Sequence, residues 1–459
     1  QVQLLFGENK KGSTLAFIIA IGGADSVIVP PLAGYLSDRT ATRYGRRKPY
    51  ILFGTIGCSI GIVMLGYCTN KIILSICWVL LTTCSNFGST SFYALLPDVV
   101  PEEEMGKSSG IIAANSAIGQ MIGASIGLYL NAPNTVNKMS PHDKMSRLQT
   151  AYIILAIIHI ACMAITVILV EEDIEGIMSS SLKRRNSIAN ESLLHQRNNN
   201  NDGGGDDDDI GYSSLEDPLT QNQNTSSNSI FSSCYGTGKN IYLEILRPFK
   251  STTFFWIYVT RFLIQMGLYS VQEMYFYFIQ DVVHTYNPIM PSTTMTSILL
   301  GLLTFVGGIS GFGCGIVSDQ WGGVRKIFVY IGGCLMMFAC NMLMFVESFL
   351  WVSVASLLFG LGMGGYTSID MAMVIDCLEL EENEKEEEGS EETNAGIDMA
   401  IWHTSLTFPQ IIATPVAGIM LDYFKKNSGT KEAYYAIFIV AIIYFLFGTC
   451  LVQKLTKIK

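Results

Sequence analysis

Eleven stretches of about twenty residues, each nearly free of charge, constrain this chain more than anything else in it. They lie at about 13–36, 49–68, 71–96, 109–131, 150–170, 253–282, 294–317, 327–346, 349–376, 395–422 and 432–453. A helix rises ~1.5 Å per residue, so each is long enough to cross a hydrocarbon core of ~30 Å. Lipid offers no partners for backbone amides, so runs of this kind must be helical. Only 15% of the 459 residues are charged, against roughly 25% in soluble domains. The expected fold class is an all-α polytopic membrane protein, seated in a lipid bilayer. The formal charge of −10 comes largely from Asp206–Asp209 and a Glu379–Glu392 cluster, both expected in loops, and indicates no nucleic-acid partner. Cys58, Cys77, Cys84, Cys162, Cys314 and Cys340 sit inside apolar runs without CxxC spacing. They read as packing residues rather than disulfides or metal ligands. No nucleophile–base or metal constellation is present, so no cofactor is expected and an enzyme is not.

Between the first two runs stands Gly34-Tyr-Leu-Ser-Asp38-Arg39-Thr-Ala-Thr-Arg43-Tyr-Gly45-Arg46-Arg47-Lys48-Pro49, with one acid and five bases. It fixes where the chain leaves the membrane. A second version returns as Gly315-Ile-Val-Ser-Asp319-Gln-Trp-Gly322-Gly-Val-Arg325-Lys326. Asp98 follows Asp38 by sixty residues, and Asp376 follows Asp319 by fifty-seven. Gln120 in the next run has a counterpart in Gln410. The halves therefore read as parallel repeats: a bundle of five spans over 1–170, a linker over 171–250 and a bundle of six over 251–459. The 253–282 span has no partner after Gln1. Two six-helix repeats with the first helix absent from this chain are expected; a native protein of eleven spans is the alternative. Residues 171–250 are of low complexity and read as a disordered linker. Lys and Arg favour cytoplasmic loops. Placing the 39–48 loop inside also puts the linker and the C-terminal tail inside, in a plasma or an internal membrane.

The two hinge segments, the repeat and the linker resemble the major facilitator superfamily. Asp319, Gly322 and Arg325 match its usual hinge motif. The first hinge is longer, in the form Ser-Asp-Arg-x5-Gly-Arg-Arg-Lys-Pro. With Ala94-Leu-Leu-Pro-Asp98 and the series Asn115, Gly119, Gly123 and Gly127, it is similar to the sucrose transporters and the wider glycoside–pentoside–hexuronide family. Tyr93 stands where the plant sucrose carriers have Arg, which speaks against sucrose itself. The resemblance implies a fold that transports small solutes by alternating access. It also implies a hinge acid that contacts a base in its own loop and a helix N-terminus of the other half. The gate candidates are Asp38, Arg39, Arg46, Arg47, Asp98, Asp319 and Arg325; the alternative is a basic loop that only sets topology.

Asp25 lies thirteen residues before Asp38, so ~20 Å into the membrane. A carboxylate at that depth is a functional candidate, here for carrying a proton; a carboxylate satisfied by a neighbouring helix is the bland alternative. On the 253–282 span, Tyr258, Arg261, Gln265, Tyr269 and Gln272 fall within about 80° of arc, with Glu273 at its edge. Such a stripe is expected to face a water-filled centre and to suit hydroxyls or a carboxylate; polar packing between helices, or a snorkelling Arg261, is the alternative. Asp370 is a candidate partner for Arg261. Asn86, Asn115, Gln120 and Gln410 are candidate solute contacts. His403 is either titratable or structural. Asp376 and Asp398 are expected near water. Ser187, in Arg184-Arg185-Asn186-Ser187, resembles a kinase site. The leading expectation is a monomeric, proton-coupled symporter of a small polar solute such as a sugar or glycoside. An uncoupled facilitator, and a transporter-like sensor or scaffold signalling through the linker, are the alternatives.

Overall fold

A computed structural model describes residues 8–40, 42–131, 140–170, 172, 245–283, 292–387 and 395–458. Among them are eleven long helices: α1 Glu8–Arg39, α2 Lys48–Tyr67, α3 Lys71–Val99, α4 Met105–Asn131, α5 Pro141–Leu169, α6 Thr252–Asp281, α7 Ser292–Gln320, α8 Lys326–Phe345, α9 Phe349–Glu387, α10 Ala395–Asn427 and α11 Thr430–Leu451. Nine of the helices, taken over the described residues, are long and apolar enough to cross a membrane; α1 and α4 are not among them. The small residues Gly110, Ala113 and Ala117 of α4 allow it to approach α7 closely.

Local chemistry sets the helix ends. Ser140 caps α5, its Oγ accepting the Asp143 amide at 3.2 Å, with Pro141 in the first turn. The helix therefore begins about nine residues before the apolar run. Asn70 and Ser251 cap α3 and α6 in the same way. The acidic stretch expected in a loop starts as helix, since α9 continues to Glu387. Glutamate is a strong helix former, and this segment has left the apolar run. Large apolar side chains such as Ile28, Phe53, Ile76, Ile168, Phe345 and Phe447 stand exposed on the outer faces, as a lipid environment requires.

Most of the buried core lies among α6–α11, from Phe254 and Ile264 to Phe438 and Phe445. A small second cluster, Leu65, Cys68, Leu74 and Cys77, closes the α2–α3 turn. Two helix pairs carry most of the contact between the halves: α1 packs along α10, and α4 along α7. Gly308 and Gly311 of α7 lie against Ala114, Ala117 and Ala113 of α4. Among the described residues, nothing lies within 4 Å of a Cβ placed at Gly301, about two turns along α7 on the same face, or at Gly418, about two turns beyond Ile411 of α10. The end bearing the charged hinges is closed.

Candidate functional site

The hinge end contains two matching networks. Arg47, 0% exposed, holds Asp38 at 2.7 Å, Asp98 at 2.9 Å and the Ser37 hydroxyl at 2.5 Å. Arg325, 2% exposed, holds Asp319 at 2.7 Å, Asp376 at 2.9 Å and the Ser318 hydroxyl at 2.9 Å. Burial alone lowers the pKa of the Arg47 guanidinium, yet Asp38 and Asp98 beside it leave it above the ordinary arginine value. Asp376 and Asp319 do the same for Arg325.

Each acid also crosses to the other half. Asp38 accepts the Gly396 and Ile397 amides at 3.0 and 2.9 Å, at the start of α10. Asp319 accepts the Gly106 and Lys107 amides at 3.1 and 2.6 Å, at the start of α4. An acid at the C-terminal end of one helix is disfavoured by that helix's dipole; here it is offset by the N-terminal amides of another. Glycine is required at both receiving ends. A Cβ at Gly396 would collide with Asp38 and Arg47, and one at Gly106 with Asp319 and Arg325.

Two expectations about charged residues need correction. The buried base on Asp38 is Arg47, while the Arg39 guanidinium lies 3.7 Å from the Tyr35 ring centroid. Asp376 is partly exposed, as expected, and also binds Arg325 at 2.9 Å. Asp398 is 1% exposed and paired with Arg247 at 3.1 Å, just before α6. Arg46 behaves as expected of a loop base, holding Asp98 at 2.5 Å.

Glu172 was not singled out from the sequence. It follows α5, and its carboxylate accepts the amides of Arg46, Arg47 and Lys48 at 2.7, 3.1 and 3.0 Å. Helix α2 has no side-chain N-cap of its own, so Glu172 supplies one. An acid just past the end of an apolar run, the same anomaly that marks Asp38, was the available signal.

The central cluster lies beside the α1–α10 contact, which runs from Gly34 against Gly396 to Gly23 against Ile411. Arg261 of α6 forms an ion pair with Asp370 of α9, and the two are 5% and 0% exposed. The Tyr366 hydroxyl, one turn earlier on α9, donates to Asp370 at 3.2 Å. The other face of the Arg261 guanidinium lies 3.6 Å from the Trp402 ring centroid. Tyr93 of α3 reaches across the halves to His403 of α10, with ring centroids 5.3 Å apart. Among the described residues, Arg261 Nε, Trp402 Nε1 and His403 Nδ1 are buried and have no hydrogen-bond partner.

The polar stripe of α6 is only partly a cavity wall. Tyr258 bonds Thr404 at 3.0 Å, and the Gln272 amide lies 3.6 Å from Met363 Sδ. Gln265 is buried, Tyr269 half-buried and Glu273 exposed. The expected water-lined face therefore begins near Tyr269; below it the closed hinge end squeezes α6 against α9 and α10. Asp25 is not alone: it accepts Thr83 Oγ1 at 2.7 Å and Asn86 Nδ2 at 3.3 Å, both from α3. Asn86 is thus committed to Asp25 and Ser26. Asn115, Gln120 and Gln410 are exposed and do not join the Arg261 cluster. Ser187 lies outside the described residues.

Comparison with known proteins agrees with this fold. The sucrose transport protein SUC3 of Arabidopsis thaliana is 25% identical over 134 residues, 24% of this chain and 23% of the relative. The general alpha-glucoside permease of Schizosaccharomyces pombe is 24% identical over 185 residues, 37% of this chain and 32% of the relative. The matches thus span roughly a quarter to a third of these relatives' length. Among solved structures, the proton:xylose symporter XylE aligns with a TM-score of 0.60 at 12% identity, over 97% of this chain and 87% of the other. The transporter FucP, in its outward conformation, aligns with a TM-score of 0.59 at 13% identity, over 97% and 92%. With the Major Facilitator Superfamily model matching residues 4–383, this multi-pass membrane protein belongs to that superfamily.

Proposed function

We propose that the protein carries a small, neutral, hydroxyl-rich solute, a sugar or glycoside, in symport with protons. The observation that carries this reading is the pair of buried donors Arg261 Nε and Trp402 Nε1, in contact with each other and without partners among the described residues. Buried donors without protein partners are costly, and acceptor oxygens of a solute relieve that cost. The Arg261 charge is matched by Asp370, so the site has no surplus cation to select an anion. The aromatic faces of Trp402, Tyr93 and Tyr269 suit the C–H faces of a sugar ring. The names of the relatives, a sucrose transport protein, an alpha-glucoside permease and a proton:xylose symporter, support the same solute class.

In this reading the hinge end, the linker and the C-terminus are cytoplasmic, as the distribution of bases favours. The halves, 1–170 and 251–459, rock about the central site, and the crossed Asp38 and Asp319 contacts hold the cytoplasmic side shut. Asp25 is the first half's candidate for the proton. The test is uptake of radiolabelled neutral sugars by the full-length protein in proteoliposomes, at acidic and neutral external pH. Accumulation that needs the proton gradient supports symport. Uptake indifferent to an ionophore leaves an uncoupled facilitator, and failure to move any neutral sugar rejects the solute class.

A further inference from the structure

We propose that Cys68 and Cys77 form a disulfide site, a thiol pair that closes to a bridge across the α2–α3 turn on the non-cytoplasmic face. The orientation is that of the transport reading above; the bridge does not depend on the solute.

A tight turn brings the two sulfurs together. Helix α2 ends at Tyr67, and Cys68 follows it in extended backbone, φ −69° and ψ 130°. Asn70 then caps α3 by accepting the Ile72 amide at 2.9 Å. Cys77 stands in the second turn of α3, its sulfur 3.4 Å from that of Cys68. Both thiols are buried, 4% and 2% exposed, and packed among Leu65, Leu74, Trp78, Leu81 and Tyr152. A covalent S–S bond is ~2.05 Å long, so closure asks for a movement of roughly 1.4 Å. Cys68 lies outside both helices, so its side chain can make that movement by turning about its staggered rotamers. As thiols the pair is poorly served. The single Cys68 hydrogen is shared between the Cys77 sulfur and the Met64 carbonyl, 3.2 Å away. A bridge removes both S–H groups and leaves an apolar link in an apolar cluster.

Position decides between a bridge and mere packing. The turn lies at the end of α2 opposite Lys48 and the charged hinge. With the hinge in the cytoplasm, it faces an exterior or lumenal space, where disulfides form and persist. Cys58 and Cys84 also approach each other across α2 and α3, but ~15 Å further into the membrane, beyond an aqueous oxidant. Cys77 reads as a packing residue in sequence because its partner lies across a turn, outside CxxC spacing.

The oxidant is a disulfide carrier of that compartment, a protein or small-molecule disulfide. The Cys68 thiolate, beside the exposed Thr69 and Asn70, attacks one carrier sulfur and displaces the other as a thiol. The Cys77 thiolate then attacks Cys68 Sγ and displaces the second carrier thiol. Two cysteine protons end on the carrier sulfurs, and two electrons reduce the carrier. The product ties the outer ends of α2 and α3, where Gly66 meets Gln149 and Tyr152 of α5.

The test is differential alkylation of the full-length protein, made in cells with an oxidising secretory compartment. Membranes are quenched with N-ethylmaleimide before solubilisation, then denatured, reduced and labelled with an isotopically heavy maleimide. Cys68 and Cys77 should carry the heavy label, and Cys58 and Cys84 the light one. Cys68→Ser should turn Cys77 light, and Cys77→Ser should do the same to Cys68. Reductant should lower the melting temperature of the wild type and leave that of Cys68→Ser with Cys77→Ser unchanged. Light label on both cysteines of the wild type overturns the inference. In that double-serine background, Thr69→Cys reports the side of the turn in sealed vesicles of known orientation. Its labelling by an impermeant maleimide, read as the excess over the same protein without Thr69→Cys, should come from the non-cytoplasmic side. Labelling from the cytoplasmic side overturns the placement of the bridge. A heavy-labelled pair in a protein that moves no neutral sugar upholds the bridge and sinks the solute reading alone.

Discussion

Asp38→Asn is the sharpest perturbation of the hinge. In the closed arrangement Asp38 accepts two α10 amides and the Arg47 guanidinium. Asn keeps one acceptor oxygen, while its amide faces a second N–H that it cannot serve. One charge-assisted bond is lost, about 1.5–3 kcal/mol, along with a charge–dipole contribution of about 0.3–1 kcal/mol. Arg47 stays anchored to Asp98, so the loop itself should persist. Because the lost contacts exist only while the hinge end is shut, roughly 2–4 kcal/mol transfers to the closed–open equilibrium. At tenfold per 1.4 kcal/mol, the hinge-open population rises about 30- to 700-fold. Ser109, on the other seam and 1% exposed, is the reporter position. A Ser109→Cys background adds a thiol there, and its maleimide labelling is read as the excess over the same protein without that substitution. In Asp38→Asn this labelling should accelerate at least about tenfold, the low end of that range once partial relaxation is allowed for. Transport should slow while insertion stays intact. An unchanged labelling rate with full transport would reduce the Asp38 contacts to a topology signal.

Further expectations follow from the same contacts. Gly396→Ala and Gly106→Ala place a methyl group on Asp38 and Asp319 respectively, so in the Ser109→Cys background each should speed labelling as Asp38→Asn does. Glu172→Gln removes the charge that caps α2, lowering thermal stability by about 0.5–2 kcal/mol in a melting experiment without altering sugar affinity. Arg47 and Arg325 both have pKa values raised in the folded protein. Their stabilisation is complete below the unfolded arginine pKa and is lost only as pH rises through the still higher folded values. Melting temperature should therefore not fall between neutral and mildly alkaline pH on their account. Deleting residues 180–235 should leave sugar flux intact; lost output with retained binding would favour a sensor.

Much of the fold was readable because lipid leaves the backbone no choice but helix, and because the Gly-x-x-Ser-Asp segments repeat. The hinge acids were readable as anomalies, acids at helix ends. Their crossing to Gly396 and Gly106 could be expected from family resemblance, whereas the partners of Arg39 and Asp398 could not. Side-chain direction at a helix end is set by tertiary packing, and Arg247 lies 151 residues from Asp398. The Arg261–Asp370 pair was accessible as two unlike charges inside apolar runs. The face of α6 was read correctly in angle and wrongly in exposure. Periodicity says which residues share a face; it does not say that the closed hinge end presses the lower part of that face against α9 and α10.

The most direct test of the account is accumulation of neutral sugars in proteoliposomes under an imposed inward proton gradient, with and without an ionophore. The account predicts concentration of at least one sugar above equilibrium, abolished by the ionophore. Transport of an organic anion with no uptake of any neutral sugar would contradict it.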